Sequence, residues 1–233
     1  LSPNKPGDLK EAFNWKSPHS MKNQYWPTEI PEFKSLAQKV LRIAQLLSHE
    51  FLYKFENILS VPRGKLVEQH IDGSATIRIL HYPPYSAEIK KDQMRINEHT
   101  DYGSITLLWR FDDVPGLQVF DRGKEEWIDV PMIENSIVLN VGDMLQRWTN
   151  DLLKSTPHRV INTEMTRSRY SMPYFVDPGR DVIIDNLTDQ TDKYPPISAK
   201  DYLKWRLAKS YTDNNYIENE DVADEGAKHI TNY

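Results

Sequence analysis

Between residues 75 and 184 the chain breaks into eight short runs rich in β-branched and aromatic residues, at 75–82, 104–110, 116–120, 126–130, 136–141, 158–162, 170–176 and 182–184. Turn-forming residues separate them. Runs of this length cannot each build a layer of their own. At such close intervals they must pair with one another, so they imply an antiparallel sandwich or barrel. Asp121-Arg122-Gly123-Lys124 suits a hairpin loop, and Asn140-Val141-Gly142-Asp143 suits a tight turn between strands.

Helices flank this region, which makes the fold class mainly β with flanking helices. Pro31 opens a stretch in which Phe33, Leu36, Val40, Ile43, Leu47, Phe51 and Phe55 recur at spacings of three and four. That stripe predicts an amphipathic helix over 31–59, stopped by Val61-Pro62. Leu66-Val67 and their neighbours suit a short second helix before the turn signal Asp72-Gly73. A further helix is predicted over 199–211, with Ser198 as its N-cap. Residues 1–30 read as coil pinned by aromatics, and the polar tail after Asp213 as a segment that frays or docks weakly. The expected division is one unit over 1–233, with a coil and helical segment at 1–74, the β core at 75–185, and a C-terminal helix and tail at 186–233.

Composition removes several classes of function. The 29 Lys and Arg are outnumbered by 34 Asp and Glu, for a net charge of −5. The basic residues are dispersed along the chain, so a nucleic acid partner is not expected. No apolar run approaches the roughly 18 residues of a membrane span. There is no cysteine. Thiolate zinc sites, iron–sulfur clusters and cysteine nucleophiles are thereby excluded, and any metal must sit on His, Asp or Glu. The first residues show neither a start methionine nor a signal-peptide pattern, so the chain reads as beginning mid-protein.

With seven histidines and 34 acidic residues in 233, about one His-x-acid triplet is expected by chance. Two occur. His70-Ile71-Asp72 beside Gly73 reads as a turn with a solvated histidine and is set aside. In His99-Thr100-Asp101, alternation on an extended backbone turns an imidazole and a carboxylate to one side. His158, at the start of a later run, is placed where a sandwich can return it to that pair. Two histidines and one carboxylate on one face leave the other octahedral positions open, which suits non-haem Fe(II) and oxygen chemistry.

A third feature lies eleven residues beyond His158. In Arg169-Tyr170-Ser171 the alternation brings a guanidinium fork and a hydroxyl to one face, a receptor for a carboxylate. An interior arginine needs an anion, and a small dianion that also ligates the metal meets both demands. The same alternation turns Phe175 inward as a pocket residue. Arg147 is the nearest cation for an acidic substrate, although a solvated strand position suits it better.

His99-x-Asp101, His158 and Arg169-x-Ser171 occur with Arg78-Ile79-Leu80-His81-Tyr82-Pro83 upstream and Leu139-Asn140-Val141-Gly142-Asp143 between them. In this order they resemble the isopenicillin N synthase-like branch of the 2-oxoglutarate/Fe(II)-dependent dioxygenases. The stretch from His99 to Leu108 is similar to fungal thymine dioxygenases. The resemblance covers about residues 8 to 210. It implies a double-stranded β-helix, or jelly roll, with Fe(II) on His99, Asp101 and His158. It further implies that Arg169 and Ser171 bind the far carboxylate of 2-oxoglutarate, with Tyr82 as an additional donor, and that Tyr102 and Phe175 line the substrate pocket.

The implied reaction consumes 2-oxoglutarate and O2 and oxidises a small-molecule metabolite by hydroxylation, desaturation or ring closure, releasing succinate and CO2. Asp101 disfavours halogenation, because related halogenases lack that carboxylate. Leu80 stands where many members carry Asn, which removes or replaces one polar contact to the cosubstrate. The family normally has about a hundred residues before the point that Leu1 matches, so a shortened form is expected. Two alternatives remain open. One is a 2-oxoglutarate-independent Fe(II) oxidase of the same fold, and the other a non-catalytic jelly-roll binding module. A monomer in the cytoplasm is the expected setting.

Overall fold

The structure is a computed structural model that describes residues 6–16, 26–71, 73–188, 191 and 193–210. In chain order the elements are β1 (Glu11–Lys16), α1 (Phe33–Leu59), α2 (Val67–His70), β2 (Thr76–Tyr82), β3 (Ile96–His99), β4 (Ile105–Arg110), β5 (Leu117–Asp121) and β6 (Glu126–Asp129). They continue with β7 (Val138–Val141), α3 (Asp143–Trp148), β8 (His158–Val160), β9 (Arg169–Val176), β10 (Ile183–Ile184), β11 (Ile197–Ser198) and α4 (Ala199–Ser210). One sheet has the order β1-β2-β9-β4-β7 and a second the order β3-β8-β5-β6, with β10-β11 as a separate pair. Strands β5 and β6 form the expected hairpin, with Asp121 paired to Glu126.

The five-stranded sheet is covered on both faces. Helix α1 lays Ala37, Leu41, Ala44 and Leu52 into one core with Ile77, Ile105, Leu107, Tyr174 and Val176. On the other face Leu80 and Tyr82 meet Ile96, Leu117 and Val160 of the four-stranded sheet and its margins. Burial between two antiparallel sheets makes this a jelly roll, and it leaves the space between them as the place for a site.

Helix α1 has nearly the predicted span, but the face it buries differs. The inward stripe is Ala37, Leu41, Ala44, Ser48, Leu52 and Glu56. Leu36 and Ile43, which the periodicity assigns to the core, are 53% and 63% exposed. Small residues face the sheet and allow close approach, with the Trp15 indole donating to Ala37 O at 3.2 Å. Ser60 ends the helix in the left-handed region at φ 56°.

Three elements depart from expectation. Within the segment read as coil, Glu11–Lys16 is an edge strand in register with β2, Glu11 opposite His81 and Lys16 opposite Thr76. Its Phe13 and Trp15 join a cluster with Trp26 and Phe33 that fastens the strand down. Strand β3 has no counterpart among the expected runs, because Ile96-Asn97-Glu98-His99 has no apolar alternation. The expected turn at 140–143 is instead the entry to helix α3, with Gly142 at its N-cap. Gly142 is required there by close approach, since a Cβ would lie 2.3 Å from Gly103 O.

His70 is also not solvated. It is buried, with Nδ1 on Leu66 O at 2.7 Å and Nε2 on Ser104 Oγ at 2.8 Å. Asp72, Tyr211 and the polar tail lie outside the described residues.

Candidate metal and cosubstrate site

His99 closes β3 and His158 opens β8, and the antiparallel register sets them directly opposite each other. Their rings lie 4.2 Å apart between centroids. Asp101 follows just past the strand end, and one ligand atom from each of His99, Asp101 and His158 lies within 4.8 Å of the others. The Nδ1 atom of His99 faces Asn97 O at 2.8 Å, and that of His158 faces Thr156 O at 3.1 Å. A carbonyl only accepts, so in both rings Nδ1 carries the proton and Nε2 keeps its lone pair. Asp101 Oδ1 lies 3.7 Å from His158 Nε2, while Oδ2 accepts from the Asn140 amide at 2.7 Å.

The electrostatics favour the same protonation pattern. Burial, reinforced by the neighbouring His158, pushes His99 down to about 3, so its imidazole is neutral at pH 7. Burial acts against the Asp101 carboxylate. His158, His99 and hydrogen bonds from Asn140 and Thr106 outweigh it and hold Asp101 below the usual range. Two imidazoles and one carboxylate converging on a point fit a divalent first-row metal with open positions.

The second part of the site is built by β2 and β9. Their register sets Tyr82 opposite Arg169 and Leu80 opposite Ser171. Arg169 and Ser171 are almost fully buried, and Arg169 Nη1 has no hydrogen-bond partner among the described residues. The Arg169 guanidinium carbon lies 4.8 Å from the Tyr82 ring centroid. The Tyr82 hydroxyl engages Ser171 and Arg169, and burial pushes its pKa up. A buried guanidinium with a free N–H beside two hydroxyls is a receptor for a carboxylate.

Both parts open into one cavity of about 260 Å³ between the sheets. Its wall includes His99, Asp101, His158, Tyr82, Arg169, Ser171 and Phe175. The inward alternation along β9 holds from Arg169 through Pro173 to Phe175, and along β2 it adds Arg78 to Leu80 and Tyr82. Leu80 occupies the position opposite Ser171, so the wall there is apolar.

Two expectations are corrected. Tyr102 does not line the cavity; its ring lies under Arg206 of α4, with the guanidinium carbon 4.6 Å from the centroid. Its neighbour Asp101 faces the cavity, and the side chain that follows turns the other way, as alternation has it. Arg147 is neither solvated nor on a strand. It is buried on α3, where its guanidinium bonds to Pro195 O and lies between Tyr194 and Tyr202.

Other residues gain a role only from the fold. Asn140 and Thr106 hold Asp101, and Lys10 and Arg78 reach the cavity wall. Of these, Arg78 is open to the same alternation that locates Tyr82.

Residues 74–178 match the 2OG-Fe(II) oxygenase superfamily. The proline hydroxylase buaE of Petromyces alliaceus is 33% identical over 221 residues, 88% of this chain and 69% of that protein. The 2-oxoglutarate-Fe(II) type oxidoreductase hxnY of Emericella nidulans is 35% identical over 195 residues, 80% of this chain and 55% of its own length. A full-length Neurospora crassa protein crystallised in complex with alpha-KG superposes with a TM-score of 0.81 at 33% identity, covering 89% of this chain and 68% of that one. The chain therefore belongs to the 2OG-Fe(II) oxygenase superfamily. It spans 55 to 57% of the length of hxnY, htyE and a ppzD relative.

Proposed function

We propose that the chain is the catalytic part of a non-haem Fe(II)- and 2-oxoglutarate-dependent dioxygenase that oxidises a C–H bond of a small molecule. The observation that carries this reading is the opening of the His99, Asp101 and His158 cluster and the buried Arg169 guanidinium, whose Nη1 lacks a partner among the described residues, into one cavity. His99, Asp101 and His158 would hold the iron. Arg169, Ser171 and Tyr82 would receive the far carboxylate of 2-oxoglutarate.

When bound, iron with 2-oxoglutarate and O2 supplies the oxidising power, one oxygen atom entering succinate as CO2 is released and the other reaching the substrate or leaving as water. The protein's part is to bind, orient and exclude. Asn97 O and Thr156 O fix the tautomers of the two histidines, and Asn140 fixes the rotamer of Asp101. The Arg169 fork gives a dicarboxylate one orientation, and the apolar wall of Leu80, Leu108 and Val160 keeps water from the reacting centre.

Phe175, with the Arg78 guanidinium carbon 5.6 Å from its ring centroid, offers the substrate a flat apolar surface beside hydrogen-bond donors. The described residues contain no helix long and apolar enough to cross a membrane. Reliance on 2-oxoglutarate supports the cytosol as the working compartment, and a monomer is the proposed state.

The test is an anaerobic titration of Fe(II) and then 2-oxoglutarate, followed by visible absorption. A weak charge-transfer band that appears only with both, and fades in Arg169→Ala and Asp101→Ala, is the expected result. Iron binding without the band would move the reading to an oxidase that does not use 2-oxoglutarate. Failure of the folded protein to bind iron would overturn it.

A further inference from the structure

The loop that carries two of the three candidate ligands is gripped from a distant part of the chain. Arg206, on the C-terminal helix α4, donates from Nη2 to Thr100 Oγ1 at 2.9 Å, across 106 residues of sequence. The same nitrogen pairs with Asp143 Oδ2 at 2.8 Å. Thr100 also donates to Asp143 Oδ2, at 3.1 Å, so Arg206, Thr100 and Asp143 form a closed triangle of polar contacts. The Arg206 guanidinium covers the Tyr102 ring at 4.6 Å. Thr100 lies between His99 and Asp101 in the chain, and Tyr102 directly follows Asp101.

The rest of the loop is held by backbone. Asp143 N donates to Asp101 O at 2.8 Å and Met144 N to Gly103 O at 3.0 Å, so the first N–H groups of α3 satisfy loop carbonyls. Gly142 N donates to Ser104 O at 2.9 Å. These bonds fix 101–104 from behind. They do not act on the Thr100 side chain, which the Arg206 and Asp143 contacts hold at the flank.

We infer that Arg206 is a positioning residue for the metal centre, which fastens α4 to the His99-Thr100-Asp101-Tyr102 loop and so couples docking of that helix to metal binding. The inference rests on the reading of His99, Asp101 and His158 as metal ligands. A guanidinium does this in a way an ammonium does not, because Nη2 bonds both the carboxylate and the hydroxyl while the flat face of the same group covers the tyrosine ring. The loop arrangement that brings His99 and Asp101 together is the one that presents Thr100 to Arg206. Metal binding and the latch therefore favour the same state, and by linkage each strengthens the other.

Co(II) is the probe, titrated into the full chain and followed by its visible spectrum and by calorimetry, with His99→Ala as the control for site binding. Arg206→Ala is expected to weaken Co(II) by about tenfold, the scale of losses from groups that orient ligands. Arg206→Lys, which keeps the charge but not the flat face over Tyr102, should recover part of that loss. Leu203→Ala thins the packing of the same helix and leaves the Arg206 contacts in place. It should lower the Tm and leave Co(II) affinity within about twofold, well below the loss expected from a ligand-orienting group.

In wild type, Co(II) should slow amide exchange over residues 199–210, and this protection should disappear in Arg206→Ala. If wild type binds Co(II) through His99 and Arg206→Ala binds it equally well, the inference is wrong while the metal site stands. Equal losses in Arg206→Ala and Leu203→Ala would reduce Arg206 to ordinary helix packing and also overturn it. If Arg206→Ala does not fold, Arg206→Lys decides, and affinity indistinguishable from wild type there overturns the role given to the guanidinium. If wild type binds no Co(II), or binds it unchanged in His99→Ala, the metal reading itself fails and this inference falls with it.

Discussion

Asn140 donates its side-chain amide to Asp101 Oδ2 at 2.7 Å and so leaves Oδ1 turned toward His158. A carboxylate free to rotate would present either oxygen to a metal. One held at Oδ2 presents Oδ1 in a fixed direction. Asn140→Leu should therefore weaken Fe(II) binding by about tenfold or more. Asn140→Asp should be worse, because it sets a second carboxylate against Asp101. Anaerobic calorimetric titration of both variants beside wild type checks the order.

Arg169 is 2% exposed and its Nη1 has no partner among the described residues, so the ligand-free protein holds a buried charge whose hydrogen bonding is incomplete. Such a group costs stability until an anion arrives. Arg169→Met should raise the thermal midpoint of the ligand-free protein. It should also weaken 2-oxoglutarate binding by about a hundredfold, as loss of one partner of a buried charged pair does. The same substitution thus improves one quantity and destroys another. A thermal melt with and without 2-oxoglutarate reads both.

The distribution of legible and hidden features follows from what each depends on. Arg169, Ser171 and Phe175 can be assigned to one wall because side chains on a strand alternate with period two and β9 is a regular eight-residue strand. The spacing from His99 to Asp101 is visible in the chain, but its closure with His158 depends on the register of β3 against β8. Strand β3 is too short and polar to announce itself. For α1 the period is correct and the phase is not, since period alone does not tell a stripe of large residues from the adjacent stripe of small ones on which the sheet packs. Nothing local identifies Arg206 or Asn140 as partners of the ligand loop, because their meaning comes only from folding.

His70 sets a pH dependence that can be separated from the site. Burial pushes it down to about 4, partly opposed by its hydrogen bond to the Leu66 carbonyl. In the unfolded chain it titrates near 6.5, the usual value for histidine. As the pH falls, the unfolded state takes up the proton first. Stability contributed by the neutral imidazole is complete above pH 6.5 and is lost as the pH falls from 6.5 toward 4. The loss amounts to about 3 kcal/mol at the lower end, at 1.36 kcal/mol per pH unit. His70→Gln should flatten this part of the profile, and urea melts of both proteins at pH 7 and pH 4.5 compare the slopes. His99 contributes in the same direction to both, so it cancels from the difference.

Gly142 joins the strand that carries Asn140 to the helix that caps the ligand loop. Its φ of −99° is open to any residue, so a substitution there meets no backbone strain. The obstacle is space. A Cβ would stand 2.3 Å from Gly103 O, 2.9 Å from Gly103 C and 3.1 Å from Asp101 O, all backbone atoms. Relief requires α3 to separate from the loop, and separation breaks the bonds from Asp143 N to Asp101 O and from Met144 N to Gly103 O. Gly142→Ala should cost about 3 kcal/mol in urea unfolding, the scale of an overpacked core, and should lower metal affinity in the fraction that folds. At Gly7 an added Cβ has nothing within 4 Å among the described residues, so Gly7→Ala should change neither quantity. If Gly142→Ala unfolds at the wild-type urea concentration and binds Fe(II) as well as wild type, the tight seating of α3 on the ligand loop is not what holds Asp101 in place.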